Sequence, residues 1–279
     1  MISILIPANN EEGYIGPCLD LLLQSEGLAN PDPQVQLIVI ANGCSDSTIH
    51  EALSRTSAFA AKGWAFDVLD LEQGNKVNAI NEGEAVARYP NRLYMDADIE
   101  VTPPLIAGVM AALDRPEPTF AGGRPFIRPA KSWFSERYAR FWEKLPFMAV
   151  GVPGCGVYAV NEAGRQRWDV MPDVIADDVF VRMHFTTSEM VGTDARYSWP
   201  ITEGLGNLIR VRRRQNEGLA KMHEDFPANM ANWDQTAPDM AQKLRLLMKD
   251  PIGFVIYSGV ALAVKLSPRK NSDGWYRGR

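Results

Sequence analysis

The sequence predicts an α/β fold: a mostly parallel sheet flanked by helices, with a helical C-terminal appendage. Three observations carry that expectation. Short apolar runs alternate with segments of helical periodicity over the first hundred residues. Polar clusters, "PANNEE", "ANGCSD" and "DAD", close three of the apolar runs. The second half is less regular and ends near an uncharged stretch, "PIGFVIYSGVALAV", residues 251–264.

The elements follow in order. "ISILIP" is a short apolar run ending at Pro7, the first strand. Residues 11–24 place Ile15, Cys18, Leu19, Leu22 and Leu23 at helical spacing. "VQLIVIA" (35–41) is a second strand, and "SDSTIHEALSRTSAFAA" opens with capping residues at Ser45 to Thr48 before turning helical. "WAFDVLD" (64–70) is a third strand. "NKVNAINEGEAVARY" is helical through Val77, Ile80, Ala85 and Val86, and "RLYMDAD" is a fourth strand. Helices of this length between strands indicate βαβ units. Right-handed crossovers then bring the strands' C-terminal ends to one edge, where open α/β sheets bind ligands. The polar clusters converge there.

Beyond residue 100, "TFAGGRPFIRP" (119–129) reads as a strand with a Gly-Gly interruption, and "SWFSERYARFWEKL" (132–145) as an aromatic amphipathic helix whose rings face the core. "VPGCGVYAV" (152–160) is a glycine-rich turn leading into a strand. "DVIADDVFVRMHF" (173–185) holds a carboxylate pair, Asp177 and Asp178, before a helix, and "IRVRRRQNEG" (209–218) is a basic cluster. No repeat or linker interrupts the chain, so the expected organisation is a catalytic domain over residues 1–225 and a helical extension over 226–279.

Composition narrows the class. The chain has 279 residues, 46% hydrophobic, with a formal net charge of −5. That balance leaves no broad basic field for nucleic acid. Cys18, Cys44 and Cys155 are few and scattered; they fit no zinc spacing and suggest a reducing compartment. "MISILIPANNEE" lacks a basic region and a long apolar core, so it reads as a strand, not a signal peptide. The expectation is a cytoplasmic protein. The stretch 251–264 falls short of the about 20 apolar residues that span a bilayer. It reads either as a buried terminal helix or, with Lys265, Arg269, Lys270, Arg277 and Arg279 behind it, as a helix on the inner membrane surface.

The chemistry concentrates at "LYMDADIEV", residues 93–101. Asp96 and Asp98 end an apolar strand, and burying an unpaired charge is expensive. Their partner is a cation on the chain, a helix N-terminus or a metal ion. Residues at alternating strand positions face opposite sides, but at a strand end that turns both can reach one ligand. A hard divalent cation takes carboxylate ligands and neutralises a diphosphate.

In their order these motifs resemble the family 2 glycosyltransferases, inverting nucleotide-sugar enzymes with the GT-A fold. "ISILIPANNEEGYIGPCLDLLLQS" looks like the family's opening strand, loop and helix, and "LIVIANGCSDST" like its second strand and turn. "GNKVNAINEGEAVA" resembles its G-K-x-x-A-L-N-x-G element, and "LYMDADIEV" its D-x-D segment. "GCGVYAVNEAG" is similar to the strand before the acceptor region, and "ADDVFVRMHF" to the element carrying the base. The likeness runs over roughly residues 2–220.

The resemblance implies roles. Asp98 would bind Mg²⁺ or Mn²⁺, and Asp96 would contact the ribose or a metal-bound water. Asp178 would be the general base that takes the acceptor hydroxyl's proton, with Asp177 the second choice; an aspartate stands where the family usually has glutamate. Pro7, Ala8, Asn9 and Glu11 or Glu12 would line the nucleotide pocket, Asn42 would meet the base edge, and Lys76 the nucleotide or its phosphate. Of Arg212, Arg213 and Arg214, one or two would clamp the diphosphate, Arg212 and Arg214 being the expected pair. His184 and Glu100 are given no role. The expected partners are a nucleotide-diphosphate sugar, a UDP-sugar foremost, and a glycan, lipid-linked or small-molecule acceptor, with peripheral membrane contact through residues 251–264. Two other readings stay open. A nucleotidyltransferase would carry a glycine-rich basic loop where this chain has the acidic "NNEEG". A non-catalytic relative would lack binding groups, and Asn9 and Gln215 do stand where many family members carry aromatic residues.

Overall fold

The computed structural model describes residues 1–28, 35–149, 152–233 and 238–266. In chain order the elements are β1 (Ile2–Ala8), α1 (Ile15–Leu23), β2 (Val35–Asn42), α2 (Thr48–Leu53), α3 (Thr56–Ala61), β3 (Ala65–Leu71), α4 (Lys76–Val86), β4 (Asn91–Met95), β5 (Glu100–Val101), α5 (Leu105–Leu113), β6 (Phe120–Ile127), α6 (Trp133–Trp142), α7 (Pro146–Ala149), β7 (Val157–Val160), α8 (Glu162–Arg165), α9 (Asp177–Arg182), β8 (Met190–Trp199), α10 (Leu205–Asp225), α11 (Met240–Lys249) and α12 (Pro251–Leu266).

The strands form one eight-stranded sheet in the order β3-β2-β1-β4-β7-β6-β8-β5. β3, β2, β1 and β4 are parallel, as the alternation of strand and helix requires. Beyond β4 the pairing is antiparallel: β4 with β7, β7 with β6, and β8 with β5. The segment expected to be one helix over 45–61 breaks into α2 and α3. Ser54 Oγ and Thr56 Oγ1 each donate 2.7 Å bonds to carbonyls three residues back, at Glu51 and Leu53. Such side-chain bonds compete with helical ones.

Two compact units result. The first takes residues 1–125 and 152–199, the second the described residues of 126–151 and 200–279. α6, α7 and α10, which the sequence reading grouped with the catalytic domain, thus lie in the same unit as the C-terminal helices.

In the first unit β1 and β2 are buried along their whole length, the pattern of a parallel sheet covered on both faces. One face carries Ile4, Ile6, Leu37, Val39 and Leu93 into a core with Ile15, Leu19 and Leu22 of α1 and Ile106 and Val109 of α5. On the other, Gly83 of α4 faces Leu5 and Ile40; a Cβ there would meet both at 3.0 Å. Those side chains set how closely α4 lies on the sheet.

In the second unit α12 packs on α6, α10 and α11. Tyr138 stacks on Tyr257 with ring centroids 5.4 Å apart, and Phe141 meets Phe254 edge-on at 5.9 Å. Gly253 lets the helices approach, since a Cβ there would fall 2.6 Å from Asp250 Oδ2 and 2.9 Å from Phe141 Cβ. Asp250 is buried against Arg137 Nη2 at 2.5 Å and Lys144 Nζ at 2.7 Å. Residues 251–264 are therefore helical, with Gly253, Val260 and Val264 buried and Val255 and Leu262 exposed. Arg269, Lys270, Arg277 and Arg279 lie outside the described residues.

Candidate active site

The C-terminal ends of β1, β2 and β3 meet as the sequence pattern requires. Asn9 follows β1, and its Nδ2 donates to the carbonyls of Asn42 and Gly43 after β2. Asn42 is buried, and its Nδ2 returns to Ala8 O at 2.9 Å. Gly43, at φ +60°, lies so near the turn after β3 that a Cβ would sit 2.6 Å from Gly74 N. Only glycine satisfies both conditions. Pro7, Ala8 and Glu11 are buried, the Glu11 backbone N–H donating to Thr48 Oγ1 at 2.6 Å. In this form Asn9 and Asn42 tie loops together, and their side-chain amides serve that end first.

β4 stops at Met95, so Asp96 and Asp98 occupy the turn beyond it, both half-buried. Asp96 N donates to Gly156 O at 2.9 Å. Gly156 has φ +68°, and a Cβ there would meet Ile99 Cδ1 at 2.9 Å and Asp96 Oδ2 at 3.0 Å. The glycine-rich turn "PGCG" therefore seats the first carboxylate. Burial and then Asp98, Glu11, Glu100 and Asp96 push the Cys18 thiol up, which records how much negative charge gathers at this edge.

Lys76, the first residue of α4, joins this turn to the second carboxylate pair. Its Nζ lies 2.8 Å from Asp96 Oδ1 and 2.9 Å from Asp177 Oδ1. Burial opposes its charge, but Asp177 and Asp96 outweigh that and hold the ammonium above the usual lysine range. Asp177 is buried and also accepts from Tyr158 Oη at 2.7 Å. Burial and then Asp177 raise the Tyr158 phenol well above its ordinary value, so it stays a donor. Asp178, next in sequence, is half-buried. Burial, then Asp177, push its carboxyl up to about 7, while Lys76 pulls it down. A carboxyl raised in this way holds a proton more readily than a free aspartate does. The segment before α9 is tied to α4 by Asn81, whose side chain exchanges bonds of 2.9 and 3.0 Å with Met171 O and N.

The first unit thus brings together Asn9, Asn42, Lys76, Asp96, Asp98, Asp177 and Asp178. Arg212 and Arg214 are half-buried residues of α10 in the second unit, where Arg212 Nη1 donates to Gln215 Oε1 at 3.2 Å. His184 has no place at the carboxylates: Nδ1 pairs with Phe180 O at 2.8 Å, and the ring packs by Trp168. The sequence reading missed Tyr158. The signal was its place in "GCGVYAV", one strand residue beyond the turn that holds Asp96.

The site thus lies on a sheet with a parallel half and an antiparallel extension, with one carboxylate pair beyond β4 and the other at the start of α9. The Glycosyl transferase family 2 profile matches residues 3–166, more than half of the chain, and the chain belongs to that family. It is therefore a glycosyltransferase. Its sheet and helices are similar to those of the Pyrobaculum calidifontis mannosyltransferase PcManGT, in complex with GDP-Man and Mn2+. That pair has a TM-score of 0.61 at 16% identity, covering 96% of this chain and 76% of the other. The S. aureus TarS 1–349 complex with UDP matches at TM-score 0.52 and 13% identity, covering 95% and 91%. Glucosyl-3-phosphoglycerate synthase from Mycobacterium tuberculosis, with Mn2+ and UDP-glucose, gives 0.52 and 16%, covering 80% and 78%. At these identities the likeness is one of fold. A search of curated proteins finds no match.

Proposed function

We propose that the chain is an inverting, metal-dependent glycosyltransferase whose catalytic portion is residues 1–225. It moves a sugar from a nucleotide-diphosphate donor, a UDP-sugar foremost, to an acceptor hydroxyl on a glycan, lipid-linked or small molecule. The observation that carries the reading is Lys76 bridging Asp96 and Asp177, with Asp178 next in sequence.

Inversion needs one base on the face opposite the leaving group. Asp178 accepts the acceptor hydroxyl's proton as that oxygen attacks the anomeric carbon. The bond to the diphosphate breaks on the far side, and the nucleotide leaves with the electron pair. Asp177 holds Lys76 and Tyr158 and is the second choice for the base. Asn9 and Asn42 shape the nucleotide loop with Pro7, Ala8 and Glu11. Lys76, freed from Asp96, meets the phosphates.

The donor set suits a divalent cation shared with substrate. Among the described residues no group of three or more His, Cys, Asp or Glu could close a metal cage. Mg²⁺ in particular binds through one or two carboxylates plus substrate phosphates; Asp98 would hold it, with Asp96 on the ribose or a metal-bound water. When bound, the ion neutralises charge on the departing diphosphate.

A thermal-shift screen of UDP-, GDP- and dTDP-sugars with Mn²⁺ tests the reading. A matching donor at 100 times its Kd adds about 2.7 kcal/mol of stability, a rise of several degrees. No shift with any of the three donor classes overturns it.

A further inference from the structure

We propose that the outer face of α11 and α12 docks on an anionic lipid bilayer. Between Met240 and Leu266 the chain carries Lys243, Arg245, Lys249 and Lys265 against one carboxylate, Asp250. Asp250 is buried and paired with Arg137 and Lys144, so the exposed charge between Met240 and Leu266 is positive, with the capping carboxylate of Asp239 at the edge of the face. That sign runs against the net charge of −5 for the whole chain.

The same two helices expose large apolar side chains. Met240, Leu244 and Met248 recur every fourth residue on α11, with Met240 78% and Met248 68% exposed. Val255, Leu262 and Leu266 continue on α12, with Leu266 75% exposed. None is needed for the unit's own core, because α12 buries the opposite side through Gly253, Val260 and Val264. α11 has no buried residue at all. Scattered exposed leucines need no explanation, but a run of them on adjoining helices marks an interaction site.

Geometry and charge select the occupant. α12 has 16 residues, about 24 Å at 1.5 Å per residue, and no helix among the described residues is long and apolar enough to cross a membrane. The helices suit the interface plane, with apolar side chains at the acyl boundary and basic heads among the headgroups. A second copy docking through this face would set lysine and arginine against their own kind. Anionic headgroups neutralise them instead.

Co-sedimentation of the full chain with vesicles tests this, using phosphatidylcholine alone or mixed with phosphatidylglycerol. The chain should bind the mixed vesicles, release as salt rises, and ignore the neutral ones. Replacing Lys243, Arg245 and Lys249 by Gln should weaken partitioning roughly fivefold per cation. Met248→Asp with Val255→Asp and Leu262→Asp should abolish it. All six positions are exposed, so an unchanged melting temperature verifies the fold of each variant. The proposal is overturned if the wild-type chain ignores phosphatidylglycerol, or if both variants bind like wild type. It is equally overturned if the chain is a dimer in lipid-free solution that the apolar-to-Asp variant makes monomeric. Vesicle binding is read without a donor sugar, so its failure leaves the transfer reading standing.

Discussion

Lys76 Nζ lies 2.8 Å from Asp96 Oδ1, so one ammonium at the start of α4 holds the first carboxylate beyond β4. The same ammonium reaches Asp177 at 2.9 Å. The turn beyond β4 and the start of α9 are therefore coupled through one lysine. Anything that draws Lys76 away, a diphosphate above all, releases both carboxylates and changes the field at Asp178.

That coupling makes the pH profile diagnostic. As the proposed base, Asp178 would act only when ionised, and burial and then Asp177 push its carboxyl up to about 7. Below that value the protonated fraction grows and kcat/KM should fall about tenfold per pH unit. The acid limb of a kcat/KM profile, with a donor found by the screen above, measures it.

Neighbouring substitutions should move that limb in opposite directions. Asp177 pushes Asp178 up and Lys76 pulls it down. Lys76→Met should shift the limb to higher pH, and Asp177→Asn to lower pH. Comparing the midpoints of the two profiles with wild type checks both signs.

Tyr158→Phe removes the phenol that donates to Asp177 at 2.7 Å but keeps the ring stacked on Tyr94, 4.9 Å away. A hydrogen bond to a charged group contributes about 1.5–3 kcal/mol, so chemical denaturation should show a loss in that range. The loss should be smaller in an Asp177→Asn background, because the two changes remove one interaction.

Asp250 anchors the second unit. Burial alone would raise its carboxyl, but Lys144, Gly253 N–H and Arg137 hold it below the usual carboxylate range. Its contribution is thus present above the unfolded value near 3.9 and lost as pH falls below it. Asp250→Asn should destabilise the fold at neutral pH by about 1–2 kcal/mol, because the partly exposed Arg137 and Lys144 lose their partner but keep access to water. The gap from wild type should close in melting curves taken at progressively lower pH.

Most of the first hundred residues were legible because the strands are mainly apolar runs, as in "VQLIVIA", and α1 and α4 carry apolar residues at helical spacing. β5 and β8 were not. Glu100–Val101 is too short to show a period, and "MVGTDARYSW" interrupts its alternation with Gly192 and Asp194. Their pairing is decided by tertiary contacts. Both carboxylate pairs were visible, because two adjacent or alternate aspartates beside apolar runs stand out. Their connection was not, since Lys76 sits 20 residues from Asp96 and 101 from Asp177. The exposed stripe of α11 also escaped notice, because 251–264 drew attention as the uncharged segment while Met240, Leu244 and Met248 lie among lysines and an arginine.

The central claim is that one aspartate serves the donor and another the chemistry. Calorimetric titration of the donor with Mn²⁺, paired with a transfer or donor-hydrolysis assay, separates them in Asp98→Asn and Asp178→Asn. Asp178→Asn should bind the donor like wild type and lose on the order of 10²–10⁴-fold in turnover, the contribution of a positioned base. Asp98→Asn should lose the Mn²⁺-dependent part of binding itself. Near-normal turnover by Asp178→Asn, or unchanged Mn²⁺-dependent binding by Asp98→Asn, would contradict the account.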